Sequence, residues 1–118
     1  MENSRNHFDV QDQEGFTIIK VNESRSSIQV AAELKDLFSE LILQQSKRLF
    51  LVDLTEVTFV ESSFLGAIVF AYKEIMQKKG VIKVIVTNAI VYDRFIITQL
   101  DKLFDIFNSR EEALNSFN

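Results

Sequence analysis

The chain has no cysteine, no tryptophan, a single histidine and only three glycines. Without cysteine there is no disulfide, no zinc–thiolate site and no thiol nucleophile. The histidine, His7, stands in a polar N-terminal stretch, where a metal site built on it is not expected. A nucleophilic serine elsewhere would lack an imidazole base. Gly15, Gly66 and Gly80 are too dispersed to form a phosphate-cradling loop. Asp53, Glu56 and Glu61 form a possible carboxylate cluster, but nothing in their spacing fixes a catalytic geometry. An enzyme is therefore not expected, and no cofactor or metal is implied. Basic charge is also short: Lys and Arg number 13 against 17 Asp and Glu, giving a net charge of −4. The lysines are scattered over Lys47, Lys73, Lys78, Lys79 and Lys83 and read as solvated surface. Nucleic acid is not an expected partner, since binding it needs a basic face that displaces counterions. No apolar run approaches the roughly 18 residues of a membrane span. The start, MENSRNHFD, is too polar for a secretory signal. A cytoplasmic protein with no direct membrane insertion is expected.

What is present is enough for one packed core. The 118 residues suit a single domain, and the 47% apolar content argues against disorder. Eleven phenylalanines and the aliphatics must fill the interior. Residues 1–7 read as a flexible polar tail, and residues 8–118 as the domain. Phe8–Gln11 and Phe16–Val21 read as strands of a hairpin, joined by a turn at Asp12–Gly15. The polar loop Asn22–Ser27 precedes a helix. Its apolar stripe comprises Val30, Ala31, Leu34, Leu37, Phe38, Leu41 and Ile42. Leu49–Leu54 is apolar on both faces, as a central parallel strand is. A second helix opens at Ser62 or Ser63 with Leu65, Ile68, Val69, Tyr72, Ile75 and Met76 inward, and Gly80 is its expected stop. Gly66, near its start, suggests close approach of a neighbouring element. Val81–Val86 is another buried strand. A third helix over Val91–Leu100, starting near Tyr92, places Phe95, Ile96 and Leu100 inward. A short strand follows at Leu103–Phe107. Ser109 and Glu112 fit a capping box for a last helix through Ala113, Leu114 and Phe117. The order β-β-α-β-α-β-α-β-α predicts an α/β domain. Its sheet is mixed and mostly parallel, with four to five strands and about four helices.

The segment Leu49–Gly66 concentrates the functional signal. A buried strand reaches Asp53, whose carboxylate is expected to accept from loop amides. A short linker, Thr55–Val60, expected to include a further half-extended piece, then leads to Glu61-Ser62-Ser63-Phe64-Leu65-Gly66 at a helix start. Either serine suits the N-cap position. A phosphate on either would meet free N–H groups and the positive end of the helix dipole. Phe64 is either folded onto its own domain or an exposed anchor for a partner.

Three stretches, in order, resemble the STAS domains, the fold of bacterial anti-sigma factor antagonists. The first is Leu51-Val52-Asp53-Leu54 with Val57-Thr58-Phe59-Val60-Glu61-Ser62-Ser63. The second is Tyr72-Lys73-Glu74 through Lys78-Lys79-Gly80 into the strand at Val81. The third is Leu100–Phe107 with Ser109 and Glu111-Glu112-Ala113-Leu114. The resemblance covers roughly residues 8–117. It implies a regulatory binding protein that docks an anti-sigma factor with serine kinase activity. Docking would use Glu61, Ser62, Ser63, Phe64 and Leu65, together with the Asn22–Ser27 loop. Ser62 is the implied phosphoacceptor, whose modification ends binding until a phosphatase reverses it. Glu61 stands where the family has Asp, Phe64 where it has Gly, and the Asn22–Ser27 loop lacks the family's usual Asp. Two other readings follow from the same fold. One is a non-switching STAS accessory subunit of a transporter or signalling complex. The other is a module that senses a nucleotide or lipid. The chain is expected to be a monomer or a weak homodimer.

Overall fold

The computed structural model describes residues 3–5 and 7–117. Strands β1 (Asn3–Arg5), β2 (Phe8–Gln13), β3 (Phe16–Val21), β5 (Leu49–Asp53), β7 (Val81–Ile85) and β8 (Asp105–Phe107) form one sheet in the order β1-β2-β3-β5-β7-β8. β4 (Arg25–Ser26) and β6 (Phe59–Val60) form a separate two-stranded parallel pair. The helices are α1 (Ile28–Ser39), α2 (Ser62–Gln77), α3 (Ala89–Ile97) and α4 (Arg110–Asn115). The expected α/β domain is thus observed: the hairpin supplies the antiparallel part of the sheet, and β3, β5, β7 and β8 run parallel. Of the stretch 1–7, Asn3–Arg5 adds an edge strand against β2. This pairing is made by backbone groups, which a polar sequence does not advertise. Residues 1, 2, 6 and 118 lie outside the described residues. Among the described residues, no helix is long and apolar enough to cross a membrane.

The hairpin turns on two residues, Glu14 and Gly15, both at positive φ (31° and 96°). Such a turn matches the twist of the strands it joins. Beyond it, register decides which face each residue serves. Phe50 and Val52 of β5 align with Ile82 and Val84 of β7, and Val52 with Ile19 of β3. This face packs against α1 and α2 in the main core. Leu51 aligns with Ile18 and Lys83 on the opposite face, where Ile18, Leu51 and Ile85 are covered by Ala113 of α4. Phe16, Phe107, Leu114 and Phe117 border this second cluster, with Phe16 and Phe117 stacked at 4.4 Å. β5 is therefore apolar on both faces because helices cover both.

All seven residues of the predicted α1 stripe are buried. The last two, Leu41 and Ile42, are held inward by a π-helical turn over Glu40–Gln44. In α2 the buried set is Phe64, Leu65, Ala67, Ile68, Ala71 and Ile75. Met76, expected inward, is 49% exposed. Its C-terminus differs from expectation too. The Lys79 N–H donates to Met76 O and the Gly80 N–H to Ile75 O, with Lys79 itself at φ 60°. This is a Schellman ending in which a lysine takes the left-handed position. Gly80 is needed for another reason. A Cβ there would strike the Arg48 carbonyl oxygen and approach Ile75 Cγ2 to 2.8 Å. At Gly66 a Cβ would meet nothing within 4 Å, so no element approaches there. α3 begins at Ala89, earlier than the periodicity suggested, because the Asn88 side chain accepts from the N–H groups of Ile90 and Val91. Its inward residues are Val91 and Phe95, and Ile96 faces out at 40% exposure.

Candidate functional site at the start of the second helix

Asp53 ends β5 on the α4 face, two residues beyond Leu51, and is 2% exposed. Its Oδ1 accepts the Thr55 N–H at 2.9 Å, and its Oδ2 accepts from Arg110 Nη1 at 2.8 Å. The expected loop-amide bond is present, and α4 supplies a guanidinium that spacing alone did not indicate. Glu56 pairs instead with Lys20 at 2.8 Å. That hydrogen bond is the main reason the Lys20 ammonium lies above its ordinary pKa; burial opposes it. Asp53 is aligned with Lys20 across β3 and β5, so Asp53 and Glu56 both border that ammonium, and each is held by a cation. Among the described residues, no group of three or more His, Cys, Asp or Glu is placed to hold a metal ion.

After Asp53 the chain makes a tight turn in which the Val57 N–H donates to Leu54 O. It is then stitched to the Asn22–Ser27 loop. The Ser24 carbonyl accepts from Thr58 N–H (2.7 Å), Phe59 N–H (3.1 Å) and Thr58 Oγ1 (3.1 Å). Arg25 aligns with Phe59 and Ser26 with Val60. Ser26 and Val60 are fully buried, so this short pair anchors the loop to the segment that leads into α2. The loop is held on its other side by His7. Its Nε2 and Nδ1 lie 3.6 Å from Glu33 and 3.0 Å from Glu23, at ion-pair distance without hydrogen-bond alignment of Nδ1.

Glu61 occupies the N-cap of α2 with extended backbone (φ −92°, ψ 161°) and makes no side-chain capping bond. Its carbonyl accepts the N–H groups of Phe64 (3.0 Å) and Leu65 (3.3 Å). Neither serine is the cap. Ser62 and Ser63 are the first two helical residues, and both are exposed. Phe64 and Leu65, expected as partner-contacting residues, are turned inward at 0% and 5% exposure. They stand in line with Ile68, Ala71 and Ile75 at helical spacing, on the face that packs on the core. The small residues Ala67 and Ala71 were the available signal for this phase. They let α2 lie close to its neighbours, and Phe64 belongs to their side. The surface offered at the helix start is therefore Glu61, Ser62, Ser63 and Gly66, with the exposed loop residues Ser24 and Arg25 beside it. A cleft of about 440 Å³ opens elsewhere, between Val86–Ala89, Tyr92, Ile106–Asn108 and Glu112; neither serine lines it.

No curated protein matches this sequence. Solved structures share the fold. A candidate anti-sigma factor antagonist of Thermotoga maritima superposes with a TM-score of 0.84 at 23% identity, covering 94% of each chain. The Bacillus cell fate determinant SpoIIAA in its phosphorylated form gives 0.75 at 14%, covering 94% of this chain and 99% of that one. A sulfate transporter family protein of Wolinella succinogenes gives 0.73 at 14%, covering 86% and 84%. The family model for the STAS domain matches residues 7–113. Nearly the whole chain is thus accounted for, and it belongs to the STAS domain family.

Proposed function

We propose that this protein is an anti-sigma factor antagonist, a binding protein that docks an anti-sigma factor with serine kinase activity and is switched off by phosphorylation of Ser62. The observation that carries the reading is the exposed Ser62-Ser63 pair at the first helical positions of α2, where the Glu61 side chain makes no capping bond. The transfer moves the γ-phosphoryl of the partner's ATP to the Ser62 hydroxyl, leaving phosphoserine, ADP and a proton. The product gains from the positive end of the helix, by roughly 0.3–1 kcal/mol, and is opposed by Glu61. A dianionic group replaces a neutral hydroxyl on the docking surface, which is enough to end a complementary contact. The likeness to SpoIIAA, solved in a phosphorylated form, agrees with this reading. A phosphatase would reset the protein.

A capture experiment from native-host lysate tests it, using wild type and Ser62→Asp with partners identified by mass spectrometry. The switch predicts a kinase-like anti-sigma factor on wild type alone. The same partners on both forms would refute it. That result would favour a non-switching accessory subunit of a transporter or signalling complex, a reading suggested by the departures at Glu61 and Phe64 and by the fold shared with a sulfate transporter family protein.

A further inference from the structure

The protein carries a net charge of −4, yet the surface around Ser62 and Ser63 is bordered by two cations seated on aromatic rings. The Arg25 guanidinium lies 4.5 Å from the Phe59 ring centroid, and the Lys35 ammonium 4.9 Å from that of Phe70. Both cations are exposed, and neither has a carboxylate within ion-pair distance among the described residues. Lys20, Lys47 and Arg110, by contrast, are committed to Glu56, Asp12 and Asp53.

Their placement follows from two periodicities. The β4–β6 register sets Arg25 beside Phe59, three residues before Ser62. Along α2, Ser63, Gly66 and Phe70 recur at helical spacing and share one stripe about 10 Å long. Arg25 on Phe59 thus marks one end of the exposed stripe and Lys35 on Phe70 the other. Ile28, 69% exposed at the start of α1, follows Arg25 by three residues in the chain. Three carboxylates also belong to this region, the half-buried Glu61, the exposed Asp36 and Glu23, which lies two residues before Arg25 and 3.0 Å from His7 Nδ1. The first sits at the positive end of α2, which offsets its charge. A cation resting on a ring keeps its charge while its side chain is already ordered, so less entropy is lost on binding. Arg and aromatic residues are also the types that most often dominate interfaces.

We propose that this face recognises an acidic surface on its protein partner, with Arg25 on Phe59 and Lys35 on Phe70 as the two anchors. The inference rests on the docking reading above and supplies the partner's chemistry. It also gives the switch a cause. A phosphoserine adds about −1.5 to −2 charges between the two cations, cancelling the attraction on which an acidic partner depends.

The test is an amide chemical-shift titration of the chain with a hexaglutamate peptide, and with hexalysine as control. Hexaglutamate is expected to shift Arg25, Lys35, Phe59, Ser62, Ser63 and Gly66. Its apparent affinity should fall roughly tenfold between about 20 and 200 mM salt. Arg25→Glu with Lys35→Glu should abolish those shifts; Arg25→Gln with Lys35→Gln serves if charge reversal disturbs the fold. Hexaglutamate shifts that are absent or confined to Lys78 and Lys79, or hexalysine binding to this face, would overturn the proposal. No phosphorylation enters the experiment. Acidic recognition together with unchanged capture by Ser62→Asp would sink the switch alone, and the converse would sink this inference alone.

Discussion

Gly66 and Gly80 lie at opposite ends of α2 and differ in what a methyl group would meet. At Gly66 it meets open space, so Gly66→Ala should gain helix propensity and stabilise the fold by about 0.5–1 kcal/mol. At Gly80 it meets the backbone of Arg48, which cannot swing aside as a side chain end can. Gly80→Ala should destabilise by about 1–3 kcal/mol, the usual cost of overpacking. Denaturant midpoints of the two variants check both signs, and matching signs would refute this account of the glycines. The sequence shows that both sites lack a side chain, but not why. Gly80 marks a helix end by its position in the pattern, whereas the close approach of Arg48 depends on how β5 and β7 align. Phe64 shows the same limit. Its residue type permits an anchor or a core role, and only the rotation of α2 about its axis decides.

Elements joined by hydrophobic periodicity were legible, and elements joined by polar clasps were not. The α1 stripe and the two-faced β5 can be read directly because many residues repeat one signal. The β4–β6 pair has two residues per strand, too few for a period, and α1 and β5 lie between its partners in the chain. The Arg110–Asp53 contact spans 57 positions in the chain and leaves no local trace. A third clasp can be tested by pH. Burial opposes ionisation of Asp12, and the hydrogen bonds from Thr17 (2.8 Å) and Lys47 (3.1 Å) outweigh it, so the carboxyl lies below its ordinary value of 3.8. A group depressed on folding stabilises the fold above its unfolded pKa, and the contribution fades as pH falls through the folded value. Asp12→Asn should therefore be less stable than wild type at neutral pH. The gap should close progressively below pH 3.8. The effect is small, because the Asp12 and Lys47 side chains are 43% and 31% exposed and solvent screens the pair. Lys20 gives the opposite limb. Raised on folding, its contribution is complete below its ordinary value of 10.5 and is lost as pH rises through the folded value. A pH series of denaturant midpoints reads both limbs.

For the whole molecule, the question is whether a charge on α2 can end binding without unfolding the domain. The core beneath the site is closed: Val57, Val60 and Phe64 are fully buried, and both serines are outside it. Ser62 is not the helix cap, so Ser62→Ala removes no capping bond and should shift stability by less than about 0.5 kcal/mol. Ser62→Asp places a carboxylate in the first turn of α2, where the dipole favours it by roughly 0.3–1 kcal/mol. Glu61, the residue before it, takes back part of that gain. The net charge moves from −4 by one further unit, too small a change for general self-repulsion to matter at physiological salt. The expected outcome is a denaturant midpoint at or slightly above that of wild type, combined with loss of partner capture. A midpoint well below wild type would mean that the first turn of α2 does not tolerate charge. Loss of capture would then report unfolding, and the separation of docking surface from core argued for this domain would be wrong.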